Sequence, residues 1–320
     1  MDIAVAIRGY ELDLQAEHKS PRTITWYLSK LRYFVRFLEN EYQRSELEDV
    51  EAKHIKAFVR QAQATSVAMD GVHHLKEGVL SSQTVRGYFV SIKAFLAWAE
   101  REGYVDSSPA SRLRPPKTRQ VVIESLTPDE IRAMLKATPE TRHSDRNYAM
   151  LLLLYDTGIR VGELVGMAVD DIDFAGGWIK VRGKGDKERM VPMGETTRRA
   201  LWRYVNSRRP EPLVPAITNT FLNERREGLG QAGVYRVVRS AGERAGIRGK
   251  RLSPHTMRHS AAQEFLRNGG DAFALQKLLG HTTLTVTRQY VALVEQDLQN
   301  AHRRASPGDN LRVRQRYSGR

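Results

Sequence analysis

Apolar residues recur at intervals of three and four in two long stretches of the first hundred residues. In the stretch 21–39 they are Ile24, Tyr27, Leu28, Leu31, Phe34, Val35 and Leu38. In the stretch 82–99 they are Val85, Tyr88, Phe89, Ile92, Phe95, Leu96 and Ala99. This spacing predicts two amphipathic helices, the first of which begins after the N-cap Ser20. With a shorter helix predicted at 54–63, they indicate an all-α first domain over residues 1–107.

The helical pattern ends in a segment of prolines and basic residues. The prolines are Pro109, Pro115 and Pro116. The basic residues include Arg112, Arg114 and Lys117. Because proline interrupts helices and charged side chains favour water, we predict a basic, solvated linker at 108–126. A further loop, at 65–80, is longer than most connections inside a domain.

The pattern of the remaining chain is mixed. Helical spacing predicts helices at 128–137, 144–155, 160–168, 230–245, 254–267, 272–279 and 285–303. The segments 178–182 and 188–193, joined by a turn at 183–187, predict an antiparallel strand pair. We therefore expect a second domain at 127–302 that is mixed α+β, mainly helical and contains a small antiparallel sheet. A basic tail follows at 303–320.

Charge narrows the class of partner. The 320 residues carry a formal net charge of +14, with a pI of about 10.0. A chain this basic attracts polyanions, with nucleic acid the leading candidate and an acidic membrane surface the next. The longest apolar run, 149–155, is too short to span a bilayer. Zero cysteines exclude disulfides, zinc–thiolate sites and cysteine nucleophiles, and fit a reducing cytoplasm, where we expect the protein to act.

Six residues of the second domain form a set with one chemistry. They are Arg160, Lys184, His255, Arg258, His281 and Tyr290. Their motifs read YDTGIRVGELVGM (155–167), VRGKGDKERMVP (181–192), LSPHTMRHSAA (252–262) and LLGHTTLTVTRQY (278–290). The forks of Arg160 and Arg258 can each pair two phosphate oxygens. His255 and Arg258 are three residues apart on one helix face and can address the same phosphate. The set suits an attack on a phosphodiester by a tyrosine.

These four motifs, in this order and with this local spacing, closely resemble those of the tyrosine recombinase (phage integrase) family. The resemblance covers nearly the whole chain and is strongest to simple, Xer-like members. It implies a helical, SAM-like core DNA-binding domain and a catalytic domain that together clamp duplex DNA. It also implies a homotetramer on two specific core sites, formed by this chain alone or with a paralogous recombinase. In that assembly the C-terminal helix is exchanged between protomers.

The resemblance also assigns chemical roles. Tyr290 is the nucleophile, which joins to a 3′ phosphate and frees a 5′ hydroxyl. Strands then exchange through a Holliday junction without ATP, metal or cofactor, in integration, excision or dimer resolution. His281 hydrogen-bonds a nonbridging oxygen of the phosphate. We interpret Glu163, one turn after Arg160, as a support for that arginine rather than as a metal ligand.

Lys184 lies at the tip of the predicted two-stranded turn. Such a tip can reach into a minor groove and protonate the leaving 5′ oxygen. Lys187 and Arg189 are nearby alternatives for this role. The residues that we predict to contact DNA beyond the catalytic set are Arg112, Arg114, Lys117, Lys187 and Arg189.

Two other classes of protein remain open on the sequence. A type IB topoisomerase uses related chemistry but relaxes DNA as a monomer without exchanging partners. A catalytically silent DNA-binding protein would bind DNA without forming a covalent adduct. Recombination of a two-site plasmid would distinguish a recombinase from a topoisomerase. A covalent protein–DNA adduct would exclude the silent DNA-binding protein.

Overall fold

The chain divides into two units, Met1–Val121 and Val122–Arg320. A computed structural model of the protein describes residues 1–64, 80–118, 124–138, 143–183, 186–280 and 306. The described part is mainly helical with a small antiparallel sheet, which confirms the predicted fold class at this level. The division falls within the predicted linker, and the domain boundaries themselves stay a prediction.

Helices make up most of the described part of the first unit. They are α1 (Ile3–Ala16), α2 (Pro21–Tyr42), α3 (Ala52–Ala64) and α4 (Ser82–Arg101). Ser20 and Ser81 cap α2 and α4, because each side chain accepts a hydrogen bond from the amide three residues on. The apolar faces enclose a core rich in aromatic rings, among them Phe34, Phe58 and Phe95.

Helix α1 is absent from the sequence prediction, which places the first strong helix at residue 21. Its buried face consists of Ile3, Ala6, Tyr10 and Leu14. A small alanine and a tyrosine with a polar tip make this apolar stripe weak. The side chain of Asp2 stabilises the start of the helix, since it accepts hydrogen bonds from the amides of Ala4 and Val5 at 2.8 and 3.2 Å.

The segment predicted as a solvated linker is packed at both of its described ends. Ala110 is fully buried in the core of the first unit. The Lys93 ammonium also donates hydrogen bonds to the backbone carbonyls of Ser111 and Leu113, at 3.1 and 3.0 Å. At the other end Leu126 is buried in the second unit. The predicted basic residues Arg112, Arg114 and Lys117 are exposed, whereas alanine and leucine side chains and backbone carbonyls supply contacts that the proline pattern does not predict. The linker itself stays a prediction.

The second unit combines helices with a three-stranded sheet. Its described helices are α5 (Pro128–Lys136), α6 (Ser144–Thr157), α7 (Val161–Gly166), α8 (Glu195–Arg203), α9 (Gln231–Arg244), α10 (Pro254–Arg267) and α11 (Ala272–Leu279). Its strands are β1 (Ile172–Asp173), β2 (Trp178–Arg182) and β3 (Glu188–Pro192), paired antiparallel in that order. The sequence pattern misses β1, which is two residues long, and α8, which is mostly polar.

The predicted helix at 285–303 lies outside the described residues, as does the predicted tail apart from residue 306. The loop predicted at 65–80 lies outside them as well, except for its last residue. Nothing in the fold therefore bears on these three predictions. Among the described residues, no helix has the length and apolar composition needed to cross a bilayer.

Helix α6 lies at the centre of the second unit. Its residues Leu151, Leu153 and Leu154 are fully buried, because both α8 and α10 pack against this helix. The helix ends at Gly158, which adopts a left-handed conformation with φ of 60°. A Cβ atom at this position would lie 2.8 Å from the Leu279 side chain, so glycine also permits the close approach of α11.

Replacing a central leucine of α6 should destabilise the second unit. We expect Leu153→Ala to lower the free energy of unfolding by about 2–5 kcal/mol, because a cavity replaces fully buried methyl groups. Urea denaturation followed by circular dichroism measures this change. The matched control is Leu213→Ala, at a half-exposed position of the same unit, where the change should stay within about 0.5 kcal/mol. Equal losses in the two variants would contradict this description of the core.

Candidate active site

The C-terminal end of α11 collects arginines from three other parts of the fold. The donor and acceptor pairs are Arg189 Nε with Leu278 O at 3.2 Å, Arg258 Nη2 with Leu279 O at 2.8 Å, and Arg160 Nη2 with Gly280 O at 3.1 Å. The last carbonyls of a helix have no partner within the helix and carry partial negative charge. Three successive carbonyls at this end therefore hold three guanidinium groups together.

A buried carboxylate joins two of these arginines. The Glu163 side chain is only 2% exposed. Its Oε1 accepts hydrogen bonds from Nη1 of Arg160 at 3.0 Å and from Nη1 of Arg189 at 2.7 Å. Its Oε2 accepts from the Arg160 backbone amide at 2.8 Å and from Nη2 of Arg189 at 3.0 Å. We call Arg160, Arg189, Arg258 and Glu163 the arginine cluster.

The charge state of Glu163 follows from these contacts. Burial raises the pKa of its carboxyl group, because the charged form loses water. Hydrogen bonds from Arg189 and Arg160 outweigh that effect and hold the pKa below its ordinary value. The carboxylate is therefore ionised at neutral pH, and the arginine cluster contains a fixed negative charge among its guanidinium groups.

Arg258 connects the C-terminal ends of two other helices, α6 and α11. It lies on α10, is buried, and donates through Nη1 to the carbonyl of Gly158 and through Nη2 to that of Leu279. Ser253 fixes the start of α10, since its Oγ accepts a hydrogen bond from the amide of Thr256 at 3.1 Å. The predicted start of this helix at residue 254 is therefore confirmed.

His255 lies one turn before Arg258, near the beginning of α10, with a partly exposed side chain. Its ring meets that of the buried His259 edge-on, with centroids 4.7 Å apart. Partial burial, together with the positive charges of Arg258, Arg251 and Arg160, lowers the pKa of His255. The imidazole is therefore mainly neutral at pH 7 and able to accept a proton.

The hairpin of β2 and β3 brings its turn close to Glu163. The Gly183 amide donates to the carbonyl of Lys187 at 2.8 Å and closes the end of the strand pair. A Cβ atom at Gly183 would lie 3.5 Å from Glu163 Oε1. Lys184 follows directly in sequence and lies outside the described residues. Lys187 is exposed at the other side of the turn.

The sequence predicts Arg189 only as an alternative to Lys184 and as a DNA contact. In the structure its side chain is 17% exposed, and its guanidinium contacts Glu163 and Leu278. These contacts favour a role inside the protein instead. The two-residue period of a strand could have predicted this inward position, because it places Arg189 on the same face of β3 as the buried Val191.

The structure brings together five of the predicted site residues: Arg160, Glu163, Arg189, His255 and Arg258. His281 and Tyr290, like Lys184, lie outside the described residues. The residues predicted to contact DNA from the linker are Arg112, Arg114 and Lys117, all exposed in the first unit. Within the described part of the chain, no group of three or more histidine, aspartate or glutamate side chains is arranged to hold a metal ion.

Comparison with known sequences identifies relatives along most of the chain. The model of the phage integrase family matches residues 124–297. The chain is 31% identical to tyrosine recombinase XerD of Listeria innocua over 291 residues, which cover 90% of this chain and 93% of that protein. It is 34% identical to tyrosine recombinase XerC of Oceanobacillus iheyensis over 302 residues, which cover 93% and 94%.

Comparison with solved structures finds the same fold in two DNA complexes. A post-cleavage complex of the XerH site-specific recombinase with palindromic difH substrate has a TM-score of 0.72 at 20% identity, covering 92% of this chain and 82% of that one. A lambda integrase dimer on a COC′ core site has a TM-score of 0.70 at 22% identity, covering 89% and 97%. At these identities the likeness concerns the fold alone. The family model and the sequence relatives establish more: the chain belongs to the phage integrase family of tyrosine recombinases.

Proposed function

We propose that this protein is a site-specific DNA recombinase that cuts and rejoins strands through a covalent link to Tyr290. The observation that carries the proposal is the arginine cluster at the end of α11. The guanidinium groups of Arg160 and Arg258 are held there by backbone carbonyls. In the sequence, the end of α11 is followed by His281 and Tyr290, the residues that the family resemblance assigns to catalysis.

The arginine cluster suits a phosphate in the transition state. The Arg160 side chain is 43% exposed, and several of its N–H donors have no partner among the described residues. Guanidinium groups fixed in advance stabilise the charge that develops on the nonbridging oxygens. They supply positive charge that Mg²⁺ supplies in many nucleases.

The proposed reaction conserves the phosphodiester bond energy. The phenolic oxygen of Tyr290 attacks phosphorus, the bond from phosphorus to the 5′ oxygen breaks, and a 3′ phosphotyrosyl bond forms. Lys184 gives a proton to the leaving 5′ oxygen. His255, neutral because its pKa is lowered, accepts the phenolic proton. A 5′ hydroxyl of the partner strand then attacks the phosphotyrosyl bond and releases Tyr290, so no ATP is consumed.

The proposed partner is duplex DNA with specific core sites, bound by a homotetramer. The net charge of +14 favours a polyanion, and a tetramer of the related lambda integrase is bound to a Holliday junction in a solved structure. The type IB topoisomerase and the silent DNA-binding protein are less favoured, because the relatives at 31% and 34% identity are tyrosine recombinases.

Removing the phenolic oxygen of Tyr290 should abolish covalent capture. We expect Tyr290→Phe to bind DNA like the wild type but to form no adduct on a nicked suicide substrate, assayed by denaturing gel electrophoresis. The wild-type adduct should form in excess EDTA and map to Tyr290 by peptide mass spectrometry. Tyr235→Phe, at an exposed tyrosine of α9, is the matched control and should retain the adduct. An adduct with Tyr290→Phe, or a strict need for Mg²⁺, would contradict the mechanism.

Loss of Lys184 should slow cleavage through the leaving group. We expect Lys184→Ala to reduce the cleavage rate by roughly 10²–10⁴ with little change in DNA affinity, because general acid catalysis is lost. A substrate with sulfur at the bridging 5′ position has a leaving group that needs no proton, so it should restore the rate. Lys187→Ala, at a predicted DNA contact, is the comparison variant and should cleave at the wild-type rate once the protein saturates the DNA. If the sulfur substrate restored cleavage by Lys187→Ala but not by Lys184→Ala, Lys187 would be the general acid instead.

We also propose that the C-terminal helix is exchanged between protomers. Its sequence shows an apolar stripe at helical spacing, formed by Val291, Val294, Leu298 and Ala301. Such a stripe can pack on a neighbouring protomer and couple the active sites.

Truncation tests this exchange. A chain that ends at Gln296 should bind a single site but fail to form tetramers on paired sites, as measured by native gel electrophoresis. A chain that ends at Ser306 removes only the basic tail beyond it and serves as the control. Undiminished tetramer formation by the shorter chain would refute the exchange.

A further inference from the structure

Arg189 occupies a position that none of the proposed catalytic roles explains. It reaches from β3 to two other parts of the second unit, pairing both oxygens of Glu163 and the carbonyl of Leu278. A Cβ atom at Gly280 would lie 2.9–3.0 Å from the Arg189 guanidinium, so the end of α11 is shaped around this side chain. Its low exposure and these contacts direct it away from solvent.

The charges around Glu163 show what Arg189 contributes. A nearly buried carboxylate requires a partner, because an unpaired buried charge is costly. With Arg160 as its sole guanidinium partner, Glu163 would cancel the positive charge that a phosphate needs. Arg189 takes up this negative charge through two short hydrogen bonds. The two guanidinium groups then outweigh the carboxylate by one positive charge.

The contacts of Arg160 are consistent with a division of roles in which Arg189 neutralises Glu163 and Arg160 binds the phosphate. It uses Nη1 for Glu163 and Nη2 for the carbonyl of Gly280, and its side chain remains partly exposed. Arg189 makes the bidentate pair with the same carboxylate from the buried side. One arginine is therefore left open to a ligand while the other is committed to the protein.

We propose that Arg189 is a positioning residue for strand cleavage, an inference that rests on the proposed function. It neutralises Glu163 and fixes it to the end of α11, so that Arg160 presents its guanidinium to the scissile phosphate. Arg189 touches no substrate in this proposal. It acts through Glu163 and Arg160, and it fixes the point at which the chain leaves α11 towards the catalytic residues His281 and Tyr290.

The test is the single-turnover rate of covalent adduct formation on a nicked suicide substrate at saturating protein. We expect Arg189→Met to slow this rate by roughly 10²-fold, because misplaced catalytic groups lose rate rather than affinity. The apparent Kd for the same DNA should change little. Arg189→Lys should recover only part of the rate, since one ammonium cannot replace a bidentate fork.

A double variant separates charge balance from simple loss of packing. Glu163→Gln combined with Arg189→Met removes the unpaired carboxylate, so Arg160 is again free to bind phosphate. We expect this variant to form the adduct roughly tenfold faster than Arg189→Met alone, since directly paired residues show non-additive effects. A purely structural role predicts a double variant that is as slow or slower.

Arg209→Met is the matched control for lost stability. Arg209 is also partly buried in the second unit and holds two backbone carbonyls, those of Asn219 and Thr220, at 2.8 and 3.1 Å. This variant should melt at a lower temperature but form the adduct at nearly the wild-type rate. An Arg189→Met rate equal to that of Arg209→Met, or a double variant no faster than Arg189→Met, would overturn the inference while the wild type still forms adduct. A wild type that forms no adduct would overturn the proposed function and this inference with it.

Discussion

The site depends on the need of a helix end for hydrogen-bond donors. The carbonyls of residues 278–280 lie at the C-terminus of α11 and cannot be satisfied within the helix. Arginines from the start of α7, from β3 and from α10 satisfy them. The left-handed conformation of Gly280 ends the helix at this point, with φ of 63°. One helix end thus determines where three guanidinium groups from distant parts of the sequence meet.

This arrangement also explains how like charges are kept together before a substrate arrives. Backbone carbonyls carry partial negative charge, and Glu163 adds a full one, so the guanidinium groups repel one another less. The cluster nevertheless remains positive, because the carboxylate and the carbonyl dipoles do not cancel three guanidinium charges. The negative charge of a phosphate diester can offset this remaining positive charge. A site organised in this way could bind a phosphate without first rearranging, which is the condition for strong electrostatic stabilisation of a transition state.

Local pattern predicts the parts of this site that are close in sequence. The pairing of Ser253 with Pro254 locates the start of α10, and three-residue spacing puts His255 and Arg258 on one face. The same rule predicts that Glu163 can reach Arg160. The pattern cannot predict that Arg189 meets Glu163, because 26 residues separate them and the contact depends on how the hairpin of β2 and β3 packs beside α7, which contacts β2. The burial of Ala110 and the weakly apolar helix α1 are missed for a related reason, since tertiary packing outweighs a weak local signal there.

Recombination between two sites on one plasmid tests the central claim most directly. A DNA segment that the protein binds, selected from a random library, is placed twice in direct repeat on a supercoiled plasmid, with a plasmid that lacks the segment as the control. The account predicts that the wild-type protein, without metal or ATP, produces two smaller circles from the first plasmid and leaves the second one unrecombined. Relaxation of both plasmids with no recombinant circles would contradict it, because such a result identifies a topoisomerase that rejoins only the strand it has cut.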